Sequence, residues 1–202
     1  MELPIYNATI SPDVNSDLEV NFIALVDKPA IEKNFLAFNE SKEKIRLTFN
    51  DEKQIISGPA MIADMPIYRN DKQLGEYYVV FDKQSIQTIV EKFCAKGFMT
   101  NFNLFHDDKE VVQGVTIFNS FISNVELGIA PLKGFEDTAD GSWFISAHVS
   151  NPEIWARIKS GELKGFSVEG LFSYISISKK KYTLEQAESM IQKILSETDF
   201  ED

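Results

Sequence analysis

The sequence predicts an α+β protein with a mainly antiparallel β core and a few flanking helices. The first observation is alternation, since apolar residues occupy every second position in several segments, which is typical of a strand with one buried face. Phe166, Val168, Phe172 and Tyr174 form one such set. The second is that Gly, Pro, Asn and Asp divide these segments at short intervals. The third is that only three segments combine helical spacing with a cap residue.

Most of the chain reads as short strands. Residues 45–49 and 54–59 flank a polar turn, so we expect them to form a hairpin. Pro59 cannot donate to a ladder and should end or kink the second run. A turn is expected at residues 107–109 and a long loop at 124–140. The expected strands are residues 4–10, 21–26, 45–49, 54–59, 77–81, 101–105, 115–122, 143–149 and 166–174.

Three segments read as amphipathic helices, at residues 83–96, 151–160 and 183–196. Each begins at a residue type that favours the N-cap, namely Asp82, Asn151 and Thr183. Glycine follows the first two helices and provides a natural stop for each. A parallel sheet with helices on both faces would contradict the antiparallel prediction.

Composition excludes several classes of function. The net charge of -11, from 20 basic and 31 acidic residues, disfavours nucleic-acid binding because an acidic surface repels phosphates. Two histidines and one cysteine, far apart in sequence, do not have the spacing of metal ligands, and no nucleotide-binding loop is present. No cofactor is therefore expected. Cys94 falls on the apolar stripe of the first helix, where we expect an inert core thiol rather than a nucleophile.

The length of 202 residues fits one domain, which we place at residues 1–178, followed by a C-terminal helix and acidic tail at 179–202. No apolar run approaches the roughly 20 residues that span a bilayer. The first residues also lack the basic segment and apolar run of a signal peptide. No membrane partner is therefore expected. A lone cysteine forms no internal disulfide, so a reducing, cytosolic location is expected.

Ser167 is the first candidate for chemistry. It lies near the start of an apolar strand, between Gly165 and Gly170. Glycines beside a serine allow another backbone to approach closely, as a peptide substrate must. On this stretch alone, the simpler interpretation is a packed strand in which the serine is merely small.

Seven short motifs occur in one consistent order over about residues 20–175. They are Val26-Asp27-Lys28-Pro29-Ala30-Ile31-Glu32, Ile56-Ser57-Gly58-Pro59-Ala60-Met61-Ile62, Pro66-Ile67-Tyr68-Arg69, Gly75-Glu76-Tyr77-Tyr78-Val79, Asn103-Leu104-Phe105-His106-Asp107, Gly141-Ser142-Trp143-Phe144 and Lys164-Gly165-Phe166-Ser167-Val168-Glu169-Gly170. Together they resemble the prohead (capsid-maturation) serine proteases of tailed phages, in the branch known simply as phage serine proteases. That family is distantly related to the herpesvirus assemblins.

The resemblance implies a barrel-like β core and a serine endopeptidase. Ser167 matches the position of the family's nucleophile and His106 that of its general base, the group a serine needs at neutral pH. The implied substrates are the phage scaffold and the major capsid protein, with self-cleavage, and the portal is a further partner. The implied location is the host cytoplasm, inside the assembling prohead, and a homo-oligomer is compatible with it.

The third catalytic position has two main candidates, His148 and Glu169. A triad needs a group that fixes the imidazole tautomer. Glu169 shares a strand face with Ser167, about 6.6 Å along. Asp107 is weaker, because adjacent strand residues point to opposite faces. Neither main candidate stands where related families place theirs, so a Ser–His dyad is the favoured interpretation.

The strand at residues 21–26 bears on the same question. A similar strand follows the catalytic serine in other branches of the family, so its position here is consistent with a circular permutation. If that hypothesis holds, an orienting acid is expected near Phe22, and no acid stands there.

Two other functions remain open. A catalytically inactive capsid-associated or scaffold-interacting protein could keep the protease fold, and the missing third residue favours it. An unrelated β-rich binding module would make the ordered motifs a coincidence. The presence of both His106 and Ser167 at matching positions favours the enzyme.

Overall fold

A computed structural model describes residues 3–27, 47–72 and 74–176. Within them the chain forms twelve strands, two α-helices and a short 3-10 helix, Val125–Leu127. The helices are α1 (Lys83–Ala95) and α2 (Pro152–Lys159). The strands are β1 (Ile5–Thr9), β2 (Val20–Val26), β3 (Thr48–Asn50), β4 (Ile55–Met61), β5 (Ile67–Asp71), β6 (Gly75–Val80), β7 (Phe102–Leu104), β8 (Asp107–Val112), β9 (Val115–Ile122), β10 (Trp143–Val149), β11 (Gly165–Gly170) and β12 (Ser173–Ser176).

The strands form three open four-stranded sheets, with the orders β12-β1-β6-β5, β3-β4-β10-β9 and β11-β2-β7-β8. Every pairing is antiparallel except β1 with β6 and β2 with β7. The prediction of an α+β protein with a mainly antiparallel core is confirmed. The barrel-like expectation is wrong in one respect, because each sheet is open and ends in two edge strands. β11, for example, lies against β4 through side chains such as Phe166 beside Gly58, with no ladder between them.

Both helices in the described residues begin where their cap residues predict. The Asp82 carboxylate accepts a hydrogen bond from the Ser85 backbone N–H at 2.7 Å. The Asn151 side chain accepts from the N–H groups of Glu153 and Ile154, and a proline follows it at the first helical position. These contacts satisfy N–H groups that have no partner within a helix. The helix expected at 183–196 and the tail at 179–202 lie outside the described residues.

The hydrophobic core lies where the three sheets and α1 meet. β10 is its most buried strand, with six of its seven residues shielded from solvent. The Trp143 ring meets the Phe93 ring of α1 edge to face, with centroids 5.3 Å apart. Such contacts add to the gain from burying large apolar area. No helix among the described residues is long and apolar enough to span a bilayer.

Several local expectations are wrong. The run expected at 54–59 is longer than predicted, since β4 continues to Met61, and the kink expected at Pro59 takes the form of a register shift opposite Trp143 and Phe144. β5 was not expected, although its pairing with β6 is regular. The turn expected at 107–109 is part of β8. Cys94 is exposed rather than buried, because it lies about 100° further round α1 than the buried Phe93.

Candidate functional site

Ser167 lies in the middle of β11 and is 7% exposed. It pairs directly with Ala24 of β2, which in turn pairs with Asn103 of β7. Residues that face each other across a sheet share one face of it, so the three side chains form one row. Asn103 lies about 10 Å from Ser167 along this row, which is two strand spacings. All three residues of the row are buried.

His106 lies at the tip of a tight hairpin between β7 and β8. Leu104 pairs with Asp107, so Phe105 and His106 form a two-residue turn, and their φ angles are +54° and +63°. Positive φ at both central residues matches type I′ turns, which usually take Asn and Gly. Holding larger residues there costs roughly 1–2 kcal/mol per residue. Strain of this kind is often found at functional sites.

Glu169 connects the two strands. Its Oε2 lies 3.4 Å from Nδ1 of His106 and accepts a hydrogen bond of 2.6 Å from the Asn103 side-chain amide. The first distance is longer than an ordinary hydrogen bond, and such contacts often tighten when substrate binds. Asn103 is fully buried, and none of the described residues gives its Oδ1 a hydrogen bond. One carboxylate oxygen is thus held by a rigid amide and faces the imidazole.

This arrangement selects one form of the imidazole. With Nδ1 facing a carboxylate, the ring proton is favoured on Nδ1, which leaves Nε2 free to accept a proton. Burial lowers the pKa of His106, the Glu169 carboxylate raises it, and the nearby Arg69 charge lowers it again; the net pKa is below its ordinary value. At neutral pH the ring is therefore uncharged, and its 3.4 Å contact with Glu169 is not an ion pair.

A shallow pocket opens beside Ser167. Its volume is about 40 Å³, and β11 forms one wall with Ser167 and Val168. Ile67 and Arg69 of β5 line the opposite side. The remaining lining is apolar and consists of Ala60, Met61, Ile62, Met65, Phe81, Phe166 and Phe172.

The family model described as "Putative phage serine protease XkdF" matches residues 44–176. The chain belongs to this family. The expectation of a phage serine protease family is therefore confirmed. No curated protein and no solved structure matches the chain, so the relationship to assemblins stays a prediction.

Within this phage serine protease family, the roles of individual residues stay predictions. Ser167 and Glu169 occupy one strand face, and His106 contacts Glu169. No hydrogen bond joins Ser167 to the His106 ring among the described residues. The prediction of a catalytic pair therefore rests on the contact of His106 with Glu169, on the strand face that Glu169 shares with Ser167, and on the motif positions.

The other third-position candidates lie elsewhere or have other contacts. His148 is exposed on β10, in a different sheet, between Thr116 and Ile55. Asp107 accepts a hydrogen bond from the Lys109 backbone N–H at 2.9 Å. Of the three acids and histidines considered, the structure brings only Glu169 to His106.

The strand considered in the permutation hypothesis lies beside the strand of Ser167. β2 pairs with β11 in antiparallel register, and Glu169 stands directly opposite Phe22. An acid therefore lies next to Phe22 in space, although β11 rather than β2 carries it. Its role and the permutation both stay predictions.

Two residues of the site were missed. Asn103 is an amide in the middle of an apolar strand, where asparagine is uncommon, and that was the available signal. Arg69 was quoted only as part of a motif. It lines the pocket together with residues of β11, a distant part of the chain, and no local sequence pattern indicates this.

The close approach expected at the glycines beside Ser167 is made by the protein itself. A Cβ on Gly170 would lie 2.1 Å from the Glu19 carbonyl oxygen and 2.7 Å from Cα of Val20. This glycine allows the backbone before β2 to cross the end of β11. Its role is to hold the two strands together rather than to admit a substrate.

Proposed function

We propose that this chain is a serine endopeptidase that cuts scaffold and capsid proteins, and itself, during prohead maturation. The observation that carries the proposal is the contact of Glu169 with Nδ1 of His106, on the strand face that also carries Ser167. Membership of a phage serine protease family supports the class of reaction. In this proposal Glu169 takes the third catalytic position.

The residues have distinct roles in the proposed reaction. The Ser167 hydroxyl oxygen attacks the scissile carbonyl carbon and gives its proton to Nε2 of His106. His106 passes that proton to the leaving amine as the peptide bond breaks, which leaves an ester on Ser167. Water then attacks the ester, His106 takes a proton from the water, and that proton returns to Ser167 as the acid product leaves. Glu169 holds the ring and stabilises its charged form.

Covalent labelling tests whether Ser167 is the nucleophile. A fluorophosphonate probe reacts with activated serines and forms a stable ester, and mass spectrometry locates it. We expect labelling of Ser167 in the wild-type chain and its loss in Ser167→Ala. Ser146→Ala is a matched control, since Ser146 is a similarly buried strand serine whose hydroxyl accepts a 2.9 Å hydrogen bond from Ser57.

The biological role is tested in the phage. Capsid and scaffold proteins should keep their precursor masses in Ser167→Ala phage and be shortened in Ser146→Ala phage. Normal shortening in Ser167→Ala phage would contradict the proposal. Absent labelling of a folded wild-type chain, together with normal capsid assembly in Ser167→Ala phage, would instead support an inactive structural protein.

A further inference from the structure

We propose that the pocket beside Ser167 selects peptides with an acidic side chain, which binds Arg69. This inference rests on the proposed peptidase function and names a feature of its substrates. The pocket lies between β5 and β11, which are both end strands of their sheets. A peptide in this pocket would therefore lie between Ser167 and Arg69.

Arg69 is free to bind an external anion. Among the described residues no carboxylate lies within ion-pair distance of its guanidinium, whose one hydrogen bond is a 3.4 Å contact with the Tyr68 carbonyl. Arg157, by comparison, binds Glu162 through two nitrogens, at 2.9 and 2.6 Å. The chain has 31 acidic residues for 20 basic ones, so an arginine without an acidic partner at a pocket is informative.

The position of Arg69 ties it to the reacting groups. Its charge lowers the pKa of His106, which places the guanidinium within electrostatic range of that ring. Ile67 lies two residues before it on the same strand, so both side chains share one face towards the pocket. A ligand bound to Arg69 would therefore lie beside the catalytic residues rather than on a remote surface.

The rest of the lining favours a single carboxylate over other anions. The other pocket residues are apolar apart from Ser167, and none of the described residues adds a second cation to the lining. Phosphate groups of nucleic acids are normally bound by several cations. One planar guanidinium beside apolar side chains matches one carboxylate, which it binds through two hydrogen bonds. An aspartate or glutamate side chain within an extended peptide meets this requirement.

A binding experiment tests the inference without turnover. The Ser167→Ala chain is immobilised and exposed to a mixture of synthetic octapeptides with blocked ends and randomised positions, and mass spectrometry identifies the retained peptides. We expect Asp and Glu to be enriched over Asn and Gln by about 10-fold at one position, the effect of one charged hydrogen-bonded contact. Arg69→Gln on this background should remove the enrichment of Asp and Glu. Arg69→Glu should instead enrich Lys and Arg at that position.

The control removes a positive charge elsewhere. Lys53 is exposed in the turn before β4, about 20 Å along the strand from its pocket end. Lys53→Gln should keep the preference for acids. Equal retention of acids and amides, or a preference that survives Arg69→Gln, would overturn the inference. Retention of acids only when the peptides carry a free C-terminal carboxylate would do the same, because the carboxylate would then come from the chain end.

Failure of this inference can be separated from failure of the peptidase proposal. If Ser167 is labelled but the retained peptides show no preference for acids, the peptidase proposal stands and the proposed role of Arg69 is wrong. If acidic peptides are preferred but Ser167 is never labelled, the proposed role of Arg69 stands and the peptidase proposal is wrong.

Discussion

Glu169 determines how His106 is held, because one of its oxygens contacts both the imidazole and the Asn103 amide. The amide is fully buried on β7, a short strand whose three residues are all shielded from solvent. A carboxylate fixed in this way needs little reorganisation when the imidazole becomes charged. Asn103 is accordingly a positioning residue for the proposed reaction.

Replacing Glu169 should therefore lower the rate of Ser167 labelling more than replacing His148 does. Glu169→Gln keeps the shape but loses the charge that stabilises the imidazolium, and we expect the rate of Ser167 labelling to fall at least about 100-fold. His148→Ala should change it less than about threefold, since His148 lies in another sheet. A large loss in His148→Ala would reverse the assignment, and small losses in both variants would indicate a Ser–His dyad.

The pKa of His106 should set the pH dependence. Only the neutral ring accepts a proton, so labelling should fall as pH drops through a pKa below the ordinary value of about 6.5. Glu169 raises this pKa, so Glu169→Gln should move the acid limb to lower pH. Arg69 lowers it, so Arg69→Gln should move the limb to higher pH.

The rate of fluorophosphonate labelling measured from pH 4 to 9 checks these directions. Lys53→Gln is the control for a general loss of positive charge and should leave the limb in place. Shifts in the same direction for Glu169→Gln and Arg69→Gln would show that neither charge acts on His106 as the structure indicates.

At the scale of single elements, the junction of β11 with β2 depends on Gly170. Any Cβ there would meet the backbone of Glu19 and Val20, which cannot move aside as a flexible side chain could. We expect Gly170→Ala to lower the free energy of unfolding by more than about 2 kcal/mol, measured by chemical denaturation.

A second glycine provides the control for this prediction. A Cβ on Gly58 would lie 3.2 Å from a methyl group of Leu47, which is the end of a side chain and can shift. Gly58→Ala should therefore lower the free energy of unfolding clearly less than Gly170→Ala does. An equal or smaller loss of stability in Gly170→Ala would contradict this prediction. It would mean that the backbone before β2 can move away from the end of β11 at little cost.

The elements themselves were largely predictable where local chemistry decides them. Both described helices begin at the expected caps, because a side-chain oxygen next to free N–H groups is a local effect. β10 follows from strand periodicity, but the single strand expected at residues 166–174 is divided into β11 and β12, which lie in different sheets. The position of the His106 turn was not predictable, because its two central residues, Phe105 and His106, are not residues that favour positive φ.

At the scale of the whole molecule, the sequence could not predict which strands lie side by side. Alternation shows which face of a strand is buried but not its neighbour, and the parallel pairs β1–β6 and β2–β7 join distant parts of the chain. Lys92 is a further example: it is buried, and its amino group contacts the carbonyls of Asp13, Ser16 and Leu18 at 2.7–3.1 Å. This contact fixes the loop before β2 and has no local sequence signal.

The central place of β2 in its sheet has a consequence for when activity can arise. The row from Ser167 through Ala24 to Asn103 draws on three regions of the chain, and its first two members are 143 positions apart (167 minus 24). Contacts between distant positions form late, because the entropy of closing a long loop must be overcome first. During synthesis Ser167 is also the last of the three to be added. An unfinished or partly folded chain thus lacks this row, and the proposed peptidase would be inactive until its folding is complete.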